Sequence, residues 1–270
     1  MSPSIPLKAL RAFLLDMDGT LYLGEAPIPG APAFIRYLRG SGRRILFFTN
    51  NPTRDPLAYC RKLAGMGISA TPEEVLTSGA ATIEYLLRET SHRSLYLLGT
   101  PPLERQFEQA GFRLTRENPD AVVLAFDKTL TYEKLEGACL HLRGGAPYFA
   151  TNPDRVCPTD YGYIPDCGAM AALIEAATGR VPQFIGKPDA RMARMGMARL
   201  DAAPGHTAMV GDRLYTDMEM ARRAGAVSIL VLSGEATREE AEALESPPDY
   251  VFGSVAQLQQ ALEAADTLDA

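Results

Sequence analysis

The chain has 270 residues, 46% of them hydrophobic and 22% charged, which is typical of a soluble globular protein with one large α/β domain or two smaller ones; we expect two. No apolar stretch approaches the length that spans a bilayer, so a membrane protein is not expected. The net charge is −6, and lysine and arginine are scattered along the chain, which argues against nucleic acid as a partner.

The cytoplasm is the predicted compartment. Residues Met1 to Lys8 contain no basic region followed by a long apolar core, so no secretory signal is expected. The four cysteines form no C-x-x-C pair and have no histidine at zinc-like spacing, which favours free thiols over a zinc site or a disulfide framework. Any bound metal is therefore expected to have oxygen ligands.

Short β-rich runs alternate with helical patterns along most of the chain, as is typical of parallel sheets with crossover helices. The predicted strands are Ala12 to Leu15, Ile45 to Phe48, Leu95 to Leu98, Ala121 to Ala125, Pro147 to Ala150, Thr207 to Val210, Val227 to Leu232 and Tyr250 to Phe252. The predicted helices are Pro32 to Arg39, Pro56 to Gly65, Thr131 to Leu142, Ala169 to Ala177, Arg191 to Leu200, Thr216 to Ala224 and Val255 to Ala264. The tail after Ala265 is expected to fray.

Two carboxylates stand where the first predicted strand ends, in Asp16-Met17-Asp18-Gly19-Thr20. Asp16 and Asp18 alternate with Met17, so both leave the same side of the chain if the strand geometry persists. Gly19 then permits a tight turn. Carboxylates held so close repel each other, which indicates a bound divalent metal or two different protonation states.

Three further polar clusters directly follow apolar runs, where open α/β sheets collect their reactive groups. Thr49-Asn50-Asn51 offers a hydroxyl, amide side chains and main-chain N–H groups to an anion. Gly186-Lys187-Pro188 supplies a cation, and the segment from Gly211 to Asp217 supplies two more carboxylates, Asp212 and Asp217.

Together the clusters provide what phosphoryl transfer requires. Asp16 is the candidate nucleophile, and Asp18 the candidate acid that protonates the leaving alkoxide and then activates water. Mg²⁺ is expected on Asp16, on the main-chain carbonyl of Asp18 and on Asp212, with Lys187 and Thr49 on the other phosphate oxygens. Direct coordination by Asp217 and an orienting role for it remain equally open.

The clusters D-x-D-G-T, T-N-N, G-K-P and G-D-x-x-x-T-D match, in order, the four motifs of haloacid dehalogenase-like phosphatases, which the chain resembles over nearly its full length. The resemblance implies a Mg²⁺-dependent phosphatase that hydrolyses a small phosphorylated metabolite, a phosphomonoester, through an aspartyl-phosphate on Asp16. The implied fold is α/β, with a Rossmann-like doubly wound parallel sheet core and a large inserted α/β cap.

The chain is also similar to the subfamily of 4-nitrophenyl, phosphoglycolate and pyridoxal phosphatases, in which the cap is inserted between the second and third motifs. We predict a core of residues 1–79 and 183–270 and a cap of residues 80–182. The resemblance implies that a cap loop, here residues 154–158 with Cys157, chooses the leaving group, and that a homodimer through the cap is plausible. Asp166, where relatives carry glycine, is a candidate helix cap.

Two other functions remain open from the sequence. In a phosphotransferase or phosphomutase, the phosphoryl group passes to an acceptor other than water. A non-catalytic phospho-ligand-binding protein explains Asp16 and Lys187 but neither Asp18 nor an inserted cap.

Overall fold

The computed structural model describes residues 5–159 and 161–267, and within them the chain forms fifteen strands and ten α-helices. The strands are β1 Ala12–Asp16, β2 Tyr22–Leu23, β3 Ala26–Pro27, β4 Arg44–Thr49, β5 Val75–Thr77, β6 Ser94–Leu98, β7 Arg113–Leu114, β8 Ala121–Leu124, β9 Tyr148–Ala150, β10 Val156–Thr159, β11 Gly162–Pro165, β12 Gln183–Phe184, β13 Thr207–Gly211, β14 Val227–Val231 and β15 Tyr250–Phe252. The helices are α1 Ala31–Gly40, α2 Pro56–Gly65, α3 Ser78–Glu89, α4 Pro101–Gln109, α5 Tyr132–Arg143, α6 Cys167–Thr178, α7 Ala190–Arg199, α8 Glu219–Ala224, α9 Arg238–Glu242 and α10 Val255–Thr267.

The chain divides into two compact units. The first unit runs to Thr49 and also contains Tyr59–Leu76 and the chain from Pro188 onward; the second contains Asn50–Ala58 and Thr77–Lys187. This division falls at 76/77 and 187/188, and it assigns residues 50–58 to the second unit. The predicted functional boundaries of core and cap, at residues 80 and 182, stay a prediction.

The first unit is built on a six-stranded sheet in the order β5-β4-β1-β13-β14-β15. Counted along the sheet's own six strands, this is the 3-2-1-4-5-6 order of doubly wound α/β folds, which confirms the predicted fold class. β1 pairs in parallel with β4 on one side and with β13 on the other. All five residues of β1 are buried, as a strand covered on both faces requires.

The second unit has its own parallel sheet, in the order β12-β9-β8-β6-β7, and its own apolar core. β10 and β11 form a separate antiparallel hairpin. Among the described residues, every helix is too short or too polar to cross a membrane. Cys60, Cys139, Cys157 and Cys167 are free thiols in the structure.

The C-terminal expectation is wrong within the described residues. Helix α10 continues to Thr267, and the carboxylate of Asp266 accepts hydrogen bonds from two nitrogens of Arg43, at 2.7 and 2.8 Å. The Tyr37 hydroxyl donates to the same carboxylate at 2.6 Å. The Arg43 side chain is only 3% exposed, so its charge needs this partner, and the ion pair holds the last turn of α10.

Candidate active site

Asp16 and Asp212 lie on either side of the point where the strand order of the first unit reverses. Asp16 ends β1, and Asp212 directly follows the neighbouring strand β13. The parallel register pairs Leu15 with Val210, so both aspartates stand at the carboxyl ends of their strands. In open α/β sheets this reversal leaves a crevice where ligands bind.

Three buried carboxylates, Asp16, Asp212 and Asp217, form a cluster at this point, which we call the carboxylate cluster. Each offers one oxygen, and the three oxygens lie within 4.8 Å of one another. Three carboxylates so close repel one another unless a cation lies between them. An all-oxygen donor set of this size fits Mg²⁺ or another hard divalent cation. The side chain of Asp18 is exposed and is not one of the three, but the ligand predicted from Asp18 is its main-chain carbonyl.

Two glycines allow Asp212 to occupy its position. A Cβ atom added to Gly19 or to Gly234 would overlap the Asp212 carboxylate. Gly19 also has a φ of +84°, the left-handed conformation that the predicted tight turn requires. Because Gly234 has no side chain, the next residue, Glu235, can donate its main-chain N–H to Asp212 Oδ2 at 2.8 Å. The Ser233 hydroxyl donates to the Gly19 carbonyl at 2.7 Å, which ties the loop after β14 to the turn after β1.

Asp217 is positioned by a wide helical turn. The predicted α-helix from Thr216 to Ala224 is wrong at its start: Leu214–Met218 form a π-helical turn, and α8 begins at Glu219. The Arg213 carbonyl accepts from the N–H groups of both Asp217 and Met218, at 3.1 and 3.2 Å. The Asp217 carboxylate accepts in return from the Arg213 N–H at 3.2 Å. The wider turn carries the Asp217 carboxylate into the cluster, and hydropathy patterns contain no signal for a π-turn.

Asp18 lies in a tight turn that is closed by Tyr22. The Met17 carbonyl accepts from the N–H groups of Leu21 and Tyr22, at 2.8 and 3.2 Å, and Gly19 donates its N–H to the Tyr22 carbonyl at 2.8 Å. The Tyr22 hydroxyl donates to Asp18 Oδ2 at 3.3 Å. Burial, followed by the negative charge of Asp18, raises the pKa of Tyr22 far above its usual value, so this hydroxyl keeps its proton.

Thr49 and Thr20 lie close to Asp16 in the first unit. β4 pairs Phe48 with Asp16, so Thr49 is one residue beyond the level of the candidate nucleophile. The Thr20 hydroxyl donates to Asp16 Oδ2 at 3.4 Å. Both threonines are buried.

In the second unit, Asn50 holds the main chain of Lys187. The Asn50 carboxamide accepts from the Lys187 N–H at 2.8 Å and donates to the Lys187 carbonyl at 3.0 Å. A Cβ atom on Gly186 would lie 2.7 Å from Asn50 Oδ1, so the position before the lysine has no room for a side chain. The Lys187 residue is only 3% exposed. The Asn50 side chain is thus hydrogen-bonded to the main chain of Lys187. Through these bonds Asn50 of the second motif contacts Lys187 of the third.

The same carboxamide begins a chain of buried polar groups within the second unit. Asn50 Nδ2 donates to Asp154 Oδ2 at 2.8 Å, and Asn152 Nδ2 donates both to Asp154 and to Asp166 Oδ1, each at 3.1 Å. Asp166 accepts from the Cys167 N–H and caps α6, as predicted. The hairpin β10–β11, which contains the half-buried Cys157, lies between Asp154 and Asp166, two members of this hydrogen-bonded chain.

Asn51 makes a local turn. Its carboxamide oxygen accepts from the N–H and the hydroxyl of Thr53, at 3.0 and 2.7 Å. The main-chain N–H of Asn51 stays a predicted donor to an anion.

Sequence reasoning missed Ser233, Gly234 and Glu235 in the first unit. In the second unit it gave no role to Asn152 and treated Asp154 only as part of the cap loop 154–158. The signal for the first group is Ser-Gly directly after an apolar run, the same pattern that marks the other site loops. For the second group, polar residues follow the run that forms β9.

The chain is similar to known proteins over most of its length. The family model described as haloacid dehalogenase-like hydrolase matches residues 13–113, and a HAD-hydrolase-like model matches residues 184–258. An acid sugar phosphatase of Staphylococcus aureus is 38% identical over 247 residues, which are 91% of this chain and 95% of that protein.

Two solved structures are also similar. A 4-nitrophenylphosphatase from Thermotoga maritima has a TM-score of 0.91 and 45% identity, with 95% of this chain and 98% of that chain covered. NagD from Escherichia coli K-12 has a TM-score of 0.87 and 30% identity, with 92% and 98% covered.

Proposed function

This chain belongs to the haloacid dehalogenase-like hydrolase family and is a phosphatase of small phosphorylated substrates, and we propose that it hydrolyses phosphomonoesters through an aspartyl-phosphate on Asp16 with the help of Mg²⁺. The carboxylate cluster is the observation that carries this proposal. It places the proposed nucleophile, which is buried, beside two carboxylates that could bind a metal, at the point of the sheet where α/β folds bind their ligands.

The residues of the cluster fit a divalent metal. Asp16 and Asp212, together with the main-chain carbonyl of Asp18, would hold Mg²⁺, and Asp217 would bind it or orient a water on it. When bound, the cation would neutralise the negative charge of the carboxylates and of the phosphoryl oxygens.

Asp16 and Asp18 carry the two chemical steps. A carboxylate oxygen of Asp16 attacks phosphorus, the bond to the leaving oxygen breaks with its electron pair on that oxygen, and Asp18 donates the proton that this oxygen takes up. Asp18, now ionised, removes a proton from water as the water oxygen attacks phosphorus. The bond between phosphorus and Asp16 breaks, its electron pair returns to the carboxylate, and inorganic phosphate is released.

Lys187 and Thr49 are the proposed ligands of the remaining phosphate oxygens. The support for Lys187 is the double main-chain contact with Asn50, which restricts the position from which its side chain extends. We assign Asn50 a positioning role, since its carboxamide is engaged with Lys187 and Asp154. The N–H of Asn51 remains a proposed anion donor.

Sugar phosphates are the proposed substrate class. The support is the similarity over most of the chain to a protein named acid sugar phosphatase. Because Asp16 and Asp18 act only on the phosphoryl group and the leaving oxygen, other residues must recognise the sugar. We propose that the second unit, with the hairpin β10–β11, selects the leaving group as a cap.

A homodimer through the second unit is also proposed. Helices α5 and α6 are linked by the Arg143 guanidinium, which donates to the Ala177 carbonyl, and they expose Leu140 and Leu173 to solvent. The exposure of these two leucines is the support for this proposal. The free thiols favour a reducing compartment, and we propose the cytoplasm.

The test is release of inorganic phosphate by the purified chain with Mg²⁺ from a panel of sugar phosphates, phosphoglycolate, pyridoxal 5′-phosphate and nucleotides. Asp16→Asn should abolish turnover without loss of fold. The matched control is Asp201→Asn, which makes the same chemical change at a fully exposed side chain and should retain activity.

Turnover by Asp16→Asn at the wild-type rate would overturn the assignment of the nucleophile. Substrate loss without phosphate release, with the phosphoryl group on another metabolite, would instead show a phosphotransferase.

A further inference from the structure

Tyr22 joins the carboxylate of Asp18 to the core of the first unit. The ring is fully buried, and its hydroxyl donates to Asp18 Oδ2 at 3.3 Å. We propose that Tyr22, with Lys62 on the face of its ring, is a positioning residue that holds Asp18 in the orientation for protonating the leaving group. This proposal rests on the proposed phosphatase function.

The main chain fixes the distance between the two residues. The Met17 carbonyl accepts from the Tyr22 N–H, the Tyr22 carbonyl accepts from the Gly19 N–H, and β2 pairs Tyr22 with Pro27 of β3. Asp18 lies inside this turn. Because both ends of the turn are hydrogen-bonded and the ring is packed in the core, the hydroxyl is held in place before substrate arrives.

Lys62 lies over the face of the Tyr22 ring and strengthens the hydrogen bond to Asp18. Its Nζ lies 3.9 Å from the centre of the Tyr22 ring, and its side chain is only 11% exposed. Glu25 Oε1 lies 3.8 Å from the same Nζ. An ammonium over an aromatic face is attracted to the ring and withdraws electron density from it, which makes the hydroxyl a better donor.

The hydrogen bond also orients the carboxyl group of Asp18. Because Oδ2 accepts from the Tyr22 hydroxyl, rotation of this group about its Cβ–Cγ bond is restricted. Positioning of a general acid matters only for leaving groups that must be protonated as they depart.

The test therefore compares two leaving groups in one variant. Tyr22→Phe keeps the ring and the Lys62 contact but removes the hydroxyl. With a sugar phosphate, whose alkoxide needs the proton, kcat/KM should fall about tenfold, a part of what general acid catalysis contributes. With 4-nitrophenyl phosphate, whose phenolate departs without a proton, kcat/KM should stay within about twofold.

Three further variants calibrate the result. Asp18→Asn should show the same selectivity with a larger loss, and Lys62→Met should show a smaller loss on the sugar phosphate only. Tyr37→Phe removes another hydrogen-bonded hydroxyl of the first unit, the one that donates to Asp266, and should leave the ratio of the two kcat/KM values unchanged.

An equal loss on both substrates in Tyr22→Phe, or no loss on the sugar phosphate, would overturn the positioning role while wild-type turnover and its abolition by Asp16→Asn keep the phosphatase assignment. A wild-type chain that hydrolyses neither ester would overturn both.

Discussion

Substitution of Gly234 by alanine tests how Asp212 is held. A Cβ atom there would lie 2.5 Å from Asp212 Cγ and 2.7 Å from its Cβ, closer than such atoms approach, so the Asp212 side chain or the loop must move. Either movement breaks the hydrogen bond from the Glu235 N–H to Asp212 Oδ2. Gly19 also touches Asp212, but its positive φ would add backbone strain to the overlap, so Gly234 is the cleaner site.

The expected loss follows from the bond that is broken. A hydrogen bond to a charged group contributes about 1.5–3 kcal/mol. If that free energy is lost from the metal-binding state, the affinity for Mg²⁺ falls by about 10- to 100-fold, the size usual for removal of a group that orients a metal ligand. Activity should largely return at saturating Mg²⁺, because Asp16 and Asp18 are unchanged.

The assay is the initial rate of phosphate release against Mg²⁺ concentration at saturating substrate. Gly65→Ala is the matched control, since a Cβ at Gly65 has no neighbour within 4 Å, and it should reproduce the wild-type curve. A half-saturating Mg²⁺ concentration within about twofold of wild type in active Gly234→Ala protein would refute the reasoning, because the predicted loss is at least about tenfold.

Three other outcomes follow from named contacts. Asn50→Ala, which frees the main chain of Lys187, should weaken inhibition by inorganic phosphate by about tenfold, measured as the inhibition constant, because hydrogen bonds of about 1 kcal/mol each are lost. Asp166→Ala removes a helix cap and should lower the free energy of unfolding in urea by about 1 kcal/mol. The hydrogen bond from Arg43 lowers the pKa of Asp266, so this pair stabilises the fold at pH values above the unfolded pKa of about 3.9 and stops doing so as pH falls through the lower folded value. Asp266→Asn should therefore cost about 1–2 kcal/mol at pH 7, less than for a fully buried pair because the aspartate is partly exposed, and less at acid pH; urea unfolding across pH measures both.

The sheet strands could be predicted because each is a short apolar run with polar residues after it. β1 and β13 are buried along their whole length, so hydropathy alone marks them, and the positions of Asp16 and Asp212 follow from where the runs end. The order of the strands, which places these two ends side by side, could be predicted only from the family resemblance. Local patterns do not contain it.

Other features depend on tertiary contacts that no local pattern encodes. The patterns do not predict α4, whose two initial prolines resemble a loop, or the hairpin β10–β11, which is mostly exposed and lacks an apolar face. The role of Gly234 requires the approach of a distant carboxylate, and the end of α10 requires Arg43. These features can be recognised only from contacts in the folded chain.

The central claim is that Asp16 carries the phosphoryl group. Asp18→Asn removes the base that activates water, so with 4-nitrophenyl phosphate the intermediate should accumulate. The most direct measurement begins by mixing this variant with Mg²⁺ and a substrate labelled at phosphorus. The reaction is quenched in acid, and the labelled peptide is mapped. The account predicts a burst of nitrophenolate equal in amount to the protein, with the label on the peptide that contains Asp16. The double variant, with Asp16→Asn as well as Asp18→Asn, should show neither the burst nor the label. Label on another residue, or the same burst in the double variant, would contradict it.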